Sequence, residues 1–246
     1  MQLHQIEGYI QAVYLVEYQH SLMLLDGCCR ADVESIKSFI TDELNRPLTD
    51  LSLIVVTHMH PDHAGAAAKL REETGCKIAG ANITGHWYQG IIGRLMHLAD
   101  IAATQWVAKK RHKEKALVWY PAKLSLDIKL DDEELLPNFP EWQVLFTQGH
   151  TDRDLSLRHL PSNKIYVADL FVKFKQRLSP PIPVFYPKRY QRSLEKIKAL
   201  SPKAIWLAHD GELAVSDQQF DELIKLAPKK VLTHWKVLKF KLLKFR

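Results

Sequence analysis

Apolar residues recur along the chain with two spacings. Leu53-Ile54-Val55-Val56 is a continuous, β-branched run of the kind that forms a strand covered on both faces. Residues 66–73 are strong helix formers that stop before Gly75. Upstream, residues 9–17 and 21–25 read as strands joined by the polar turn Tyr18-Gln19-His20. Residues 31–44 repeat at helical spacing through Val33, Ile36, Phe39, Ile40 and Leu44. Residues 77–81 form a further short strand. Strands that alternate with helices predict an α/β domain whose chemistry lies outside the carboxyl ends of its strands.

The pattern changes over residues 86–117. Trp87, Tyr88, Ile91, Ile92, Leu95, Leu98, Ala102, Trp106 and Val107 are spaced mostly by three or four, which predicts one long helix or two. Its tail, Lys109-Lys110-Arg111-His112-Lys113, is basic. Residues 123–129 and 141–147 read as strands around the acidic turn Asp131-Asp132-Glu133-Glu134. Residues 155–160 and 164–167 read as a hairpin through Pro161-Ser162-Asn163. Pro180, Pro181, Pro183 and Pro187 mark an irregular loop, followed by an amphipathic helix over 190–200 and a buried strand over 204–207. Helices over 220–226 and 231–245 close the chain. No repeat or linker interrupts it, so residues 1–246 are expected to be a single domain with a helical insert near 86–117 and a basic amphipathic C-terminal helix near 231–245.

Length and composition agree with that expectation. At 246 residues the chain suits one large domain or at most two small ones, and 46% hydrophobic with 25% charged residues is ordinary for a globular protein. No apolar run is long enough to span a bilayer, and Met1-Gln2-Leu3-His4-Gln5 does not begin a signal sequence, so a cytoplasmic location is expected. Cys28, Cys29 and Cys76 do not form a disulfide framework and read as reduced core thiols. The net charge of +6 favours anionic ligands in a general way.

The chemistry concentrates at strand ends. Thr57-His58-Met59-His60-Pro61-Asp62-His63-Ala64-Gly65 links the 53–56 strand to the following helix. On extended backbone His58 and His60 point the same way and can grip one metal. Asp62 and His63, beyond the proline, are offset and can face a second. Gly149-His150-Thr151, Asp169 and His209 follow three further strands, and Asp26 ends the 21–25 strand. Apart from Asp26, seven candidate ligands result, among them five of the twelve histidines.

This order of motifs resembles the metallo-β-lactamase superfamily over almost the whole chain. The resemblance implies a four-layer αββα sandwich. It also implies one metal held by His58, His60 and His150 and another by Asp62, His63 and His209. Asp169 would bridge the two metals, and Asp26 would orient ligands from behind. Nitrogen and oxygen donors suit zinc, with iron or manganese as alternatives. Two such metals lower the pKa of a water, and the resulting hydroxide attacks a carbonyl carbon or a phosphorus while Asp62 and Asp169 fix the geometry. The expected function is hydrolysis of an ester, thioester or lactone, with a small-molecule substrate that carries an apolar or acyl portion. A phosphodiesterase or nuclease ranks second, since no nucleic-acid module is recognisable, and a non-catalytic metal sensor ranks third. Gln148 and Asp152 stand where hydrolytic relatives often carry proline, and His209-Asp210-Gly211 where many have His-Gly, so the glutathione site of the glyoxalase II branch is not transferred.

His4, His20, His86, His97, His112, His159 and His234 are expected to be structural or solvated, with His86 the one best placed to approach a cleft. The apolar stripe of the insert has two readings, packing against the domain or an apolar lid over a substrate. The C-terminal helix is expected to pack on the domain, ahead of a dimer contact or a membrane-surface role.

Overall fold

The computed structural model describes residues 1–233. The chain forms two compact units, Met1–Asp131 and the remainder from Asp132.

The first unit is organised on a six-stranded sheet ordered β1 (Gln2–Glu7), β2 (Ala12–Tyr18), β3 (Ser21–Leu24), β4 (Leu51–Val56), β5 (Lys77–Ala81) and β6 (Ile128–Leu130). β1, β2 and β3 pair antiparallel through short turns, whereas β3 to β6 are parallel. Parallel neighbours need crossovers. These carry α1 (Val33–Ser38), then α2 (Pro61–Ala64) with α3 (Ala67–Thr74), and finally α4 (Gly90–Lys110). β4 is buried on both faces, as its unbroken apolar run implies, and Ile54 joins Leu15, Leu24, Ile36, Leu70 and Ile78 in one core. The expected helix over 31–44 is present in three pieces, with a 3₁₀ turn before α1 and a π-turn over Phe39–Glu43 after it.

The second unit holds β7 (Leu135–Leu136), β8 (Phe139–Phe146), β9 (Leu155–His159) and β10 (Lys164–Tyr166), the ribbon β11 (Val172–Phe174) and β12 (Arg177–Ser179), then β13 (Ala204–Leu207) and β14 (Gly211–Leu213). The main sheet runs β14-β13-β10-β9-β8-β7. Only β10 and β13 are parallel, and the connection between them contains α5 (Pro187–Ala199). α5 turns Tyr190, Leu194 and Ile197 onto Ile165, Ile205 and Leu207, and α6 (Asp217–Leu226) adds Phe220 and Leu223 to the same core. Ser216 and Gln219 form a reciprocal cap at the start of α6.

The insert packs only in part through the stripe named above: Trp87 and Tyr88 reach the core, and most of its other large apolar residues do not. α4 is one helix, and residues 112–117 are not helical. Ile91, Ile92, Leu95, Leu98 and Trp106 are exposed rather than packed. The buried side instead carries Gly93, His97, Thr104 and Ala108. Small residues let the helix approach closely, and His97 lies among the rings of Tyr88, Trp119 and Tyr120 at centroid distances of 4.8–5.4 Å. The strand expected over 123–129 shortens to β6. The helix expected over 231–245 lies outside the described residues beyond Thr233, where Leu232 bridges to Val184. No described helix is long and apolar enough to cross a membrane.

Candidate metal centre

In the first unit the ligand block follows from how β4 ends. Beyond Val56 the chain bends over residues 58–60, His60 itself keeps extended dihedrals (φ −68°, ψ 156°), and Pro61 then opens α2 at the position where a missing N–H costs nothing. His58 and His60 therefore lie in the bend between β4 and α2, where the strand alternation expected from the sequence does not hold, and Asp62 and His63 lie on the first helical turn. His58 Nε2 is 3.1 Å from His60 Nδ1, and His63 Nε2 is 3.6 Å from Asp62 Oδ2. All four residues are buried.

Asp26, just past β3, anchors this block from behind. Its carboxylate accepts from His63 Nδ1 at 2.6 Å, Thr57 Oγ1 at 2.9 Å and Gly27 N at 2.9 Å. Thr57 Oγ1 also lies 3.1 Å from His58 Nδ1. With its Nδ1 proton committed to Asp26, His63 presents Nε2 as a lone-pair donor. Gly27 donates to the His63 carbonyl at 2.9 Å, and a Cβ there would sit 2.5 Å from that oxygen.

In the second unit the Gly149-His150-Thr151 loop closes on Asp154, which accepts from Gly149 N at 2.9 Å, Thr151 N at 2.7 Å and the Thr151 hydroxyl. Burial pushes the Asp154 carboxyl up, against the lowering effect of His150 and of those hydrogen bonds. His150 Nδ1 donates to the Pro183 carbonyl at 2.6 Å, which leaves Nε2 for a ligand. Asp169 follows β10 by way of Ala168, whose φ of +45° is uncommon for a residue with a side chain. The two oxygens of Asp169 divide between two imidazoles. Oδ2 lies 3.6 Å from His150 Nε2, and Oδ1 lies 3.4 Å from His209 Nε2.

These spacings fit a metal. Donors bound at about 2.0–2.1 Å around a tetrahedral cation stand roughly 3.3 Å apart, and the pairs within each unit span 3.1–3.6 Å. Every candidate ligand from the sequence thus has a donor neighbour within its own unit, and Asp26 accepts a hydrogen bond from His63.

Other residues at these sites carry no clear sequence signal. Asp100 on α4 accepts from Tyr88 OH at 2.9 Å and stands 3.7 Å from His60 Nε2. Tyr120 OH donates to the Met59 carbonyl. Burial pushes both tyrosine hydroxyls up, so each remains a donor. Asp154 was legible only in retrospect, as a carboxylate three residues after a threonine. Among the described residues the remaining histidines are paired, packed or exposed, and His234 lies outside the described residues. His4 pairs with Glu17 at 2.7 Å, His159 is buried against Trp142, and His20, His86 and His112 are exposed. The three cysteines are buried and unpaired by disulfides, and burial pushes the Cys28 and Cys29 thiols up, away from a nucleophilic thiolate.

Comparison with known proteins shows the family and the fold. The family model described as the metallo-beta-lactamase superfamily matches residues 6–209. No curated protein matches. Among solved structures the chain is similar to the metallo-beta-lactamase family protein TTHA1429 of Thermus thermophilus, with TM-score 0.67, 21% identity, and coverage of 91% of this chain and 78% of that one. It is similar to ST1585 of Sulfolobus tokodaii, an archaeal metallo-beta-lactamase superfamily protein, with TM-score 0.63, 21% identity, and coverage of 91% and 84%. It also resembles TTHA1623, solved in a di-iron-bound form, with TM-score 0.58, 18% identity, and coverage of 87% and 94%. At these identities the structural likeness shows the fold.

Proposed function

The chain belongs to the metallo-β-lactamase superfamily, and from that premise we propose that it is a metal-dependent hydrolase of carbonyl substrates: an ester, thioester or lactone. The observation that carries the reading is the divided carboxylate of Asp169, one oxygen facing His150 and the other His209. A buried-edge aspartate between two imidazoles has the form of a bridge between two cations. On this reading His58, His60 and His150 would hold one metal and Asp62, His63 and His209 the other, in one catalytic domain. The donor set suits zinc, iron or manganese, and the di-iron form of TTHA1623 keeps iron beside zinc.

When bound, such a pair of metals supplies Lewis acidity and makes a water acidic enough to ionise near neutral pH. The protein's part is positioning. Asp26 and Pro183 fix the tautomers of His63 and His150 through their Nδ1 protons. Asp62 and Asp169 would hold the metals so that an attacking water faced the substrate carbonyl. No side-chain nucleophile is required, which accords with the buried, protonated thiols of Cys28 and Cys29.

The test is metal count joined to turnover. After loading with zinc or iron, elemental analysis should give close to two metals per chain, and a chelator should abolish hydrolysis. His58→Ala should empty one site, His209→Ala the other, and Asp169→Ala should impair both. His20→Ala, at an exposed position, should change neither count. A single tightly held metal would count heavily against the dinuclear reading. Faster cleavage of a bis-phosphodiester than of any ester, thioester or lactone would move the assignment to a phosphodiesterase.

A further inference from the structure

α4 packs Met96, Ile101 and Ala108 inward and turns most of its large apolar residues outward. Ile91, Ile92, Leu95, Leu98 and Trp106 are spaced to share one side of the helix, and Ile91 is 79% exposed, Leu95 60% and Trp106 61%. From residue 91 to residue 106 that side extends roughly 22 Å. A contiguous exposed apolar face of this kind marks a docking surface.

The charges around it select the occupant. Arg94 flanks the face near one end, and Lys109 and Lys110 follow Trp106 at the other. Lys110 Nζ lies 5.6 Å from the centre of the Trp106 ring. The one acid on α4, Asp100, is mostly buried and hydrogen-bonded to Tyr88. At the same end a groove of about 370 Å³ is lined by Tyr9, Gln105, Trp106, Lys109, Lys113 and Lys115, with Lys113 paired to Glu7. The surface therefore offers apolar side chains and cations but no carboxylate from the helix.

We propose that the outer face of α4 seats this protein on an anionic lipid bilayer. A second copy related by a twofold axis would bring like charges together without helix carboxylates to neutralise them. A bilayer rich in phosphatidylglycerol meets both demands, since its acyl boundary takes Ile91, Ile92, Leu95 and Leu98 while its phosphates meet the lysines. Trp106, apolar in body and polar at one edge, stands where the two regions join. The groove beside it receives a headgroup.

Co-sedimentation of the full chain with vesicles tests this. The protein should pellet with phosphatidylglycerol–phosphatidylcholine vesicles, less with phosphatidylcholine alone, and less as salt rises. Ile91→Asp with Leu95→Asp should lower the partition coefficient about tenfold or more. Lys109→Gln and Lys110→Gln should each lower it about fivefold. All these positions are exposed, so circular dichroism should be unchanged. The proposal is overturned if the protein stays in the supernatant with anionic vesicles, or if both sets of substitutions leave sedimentation unaltered. It is equally overturned if light scattering shows a dimer that Leu95→Asp dissociates, which would assign the face to a second copy.

Discussion

At the scale of the residue, Asp26 shows how a single carboxylate orders several groups. Its hydrogen bonds to His63, Thr57 and Gly27 tie the end of β3 to the loop after β4. Asp26→Asn keeps the shape but removes the charge that fixes the His63 tautomer. It should weaken metal binding about 10- to 100-fold, as loss of such partners does elsewhere. Competition with a chromophoric chelator measures this, and an unchanged affinity would mean that Asp26 serves only the fold. Asp32 gives a second prediction. It is buried and accepts from Tyr9 N at 2.6 Å and Cys29 N at 2.9 Å, yet desolvation still pushes its carboxyl up to about 6. The folded state thus holds this proton to higher pH than the unfolded state, whose carboxyl titrates near 4. Stability from this group is present below about pH 4, falls as pH rises toward 6, and is absent above it. Asp32→Asn should not share that slope. Its unfolding free energy minus that of the parent should rise on the order of 3 kcal/mol between pH 4 and pH 7, and parallel urea-melt curves would refute this. Asp26 was legible in the sequence because it ends a strand just before a glycine. Thr57 and Asp32 were not, because their partners are backbone groups and side chains that only folding brings near.

At the scale of the element, the strand ends were legible and the helix faces less so. An apolar run followed by a polar cluster marks where a buried strand leaves its sheet, and so the positions of His58, His150, Asp169 and His209 could be read. α4 shows the limit. Its apolar residues share one face, and the usual inference buries that face. The inward stripe in fact runs through Gly93, His97, Thr104 and Ala108, polar and small residues at equally regular spacing. Periodicity identified the helix, but the partners of His97 and Asp100 decided which side turned inward. β1 and the π-turn at Phe39–Glu43 carried no pattern strong enough to be read. The loop bearing His150 supports a further prediction. Gly149 has φ of +152°, and a Cβ there would meet the backbone of Tyr190 at 2.4–2.6 Å. Neither the start of α5 nor the Asp154 clamp can yield cheaply. Gly149→Ala should therefore cost about 3 kcal/mol or more in urea unfolding and displace the His150 imidazole. A loss well under 1 kcal/mol would show that the contact relaxes freely.

At the scale of the whole molecule, charge bears on which substrates arrive. The chain carries 34 basic and 28 acidic residues, for a net charge of +6. Such an excess raises the local concentration of anions and speeds their encounter, and salt screens it beyond about 10 Å at 0.1 M. On the proposed function, the metal centre would act on any carbonyl that reached it, so charge discrimination would belong to the approach rather than to the bond-breaking step. An anionic thioester such as an acyl-CoA and a neutral thioester of the same acyl group therefore make a matched pair. For the anionic member, kcat/KM should fall roughly three- to tenfold between 10 mM and 200 mM salt, while kcat at saturation stays level. For the neutral member both quantities should be flat. An equal fall for both would place the salt effect on the site or the fold instead of on encounter. A fall in kcat for the anionic member alone would mean that the charges act after binding, as contacts to the substrate in the transition state.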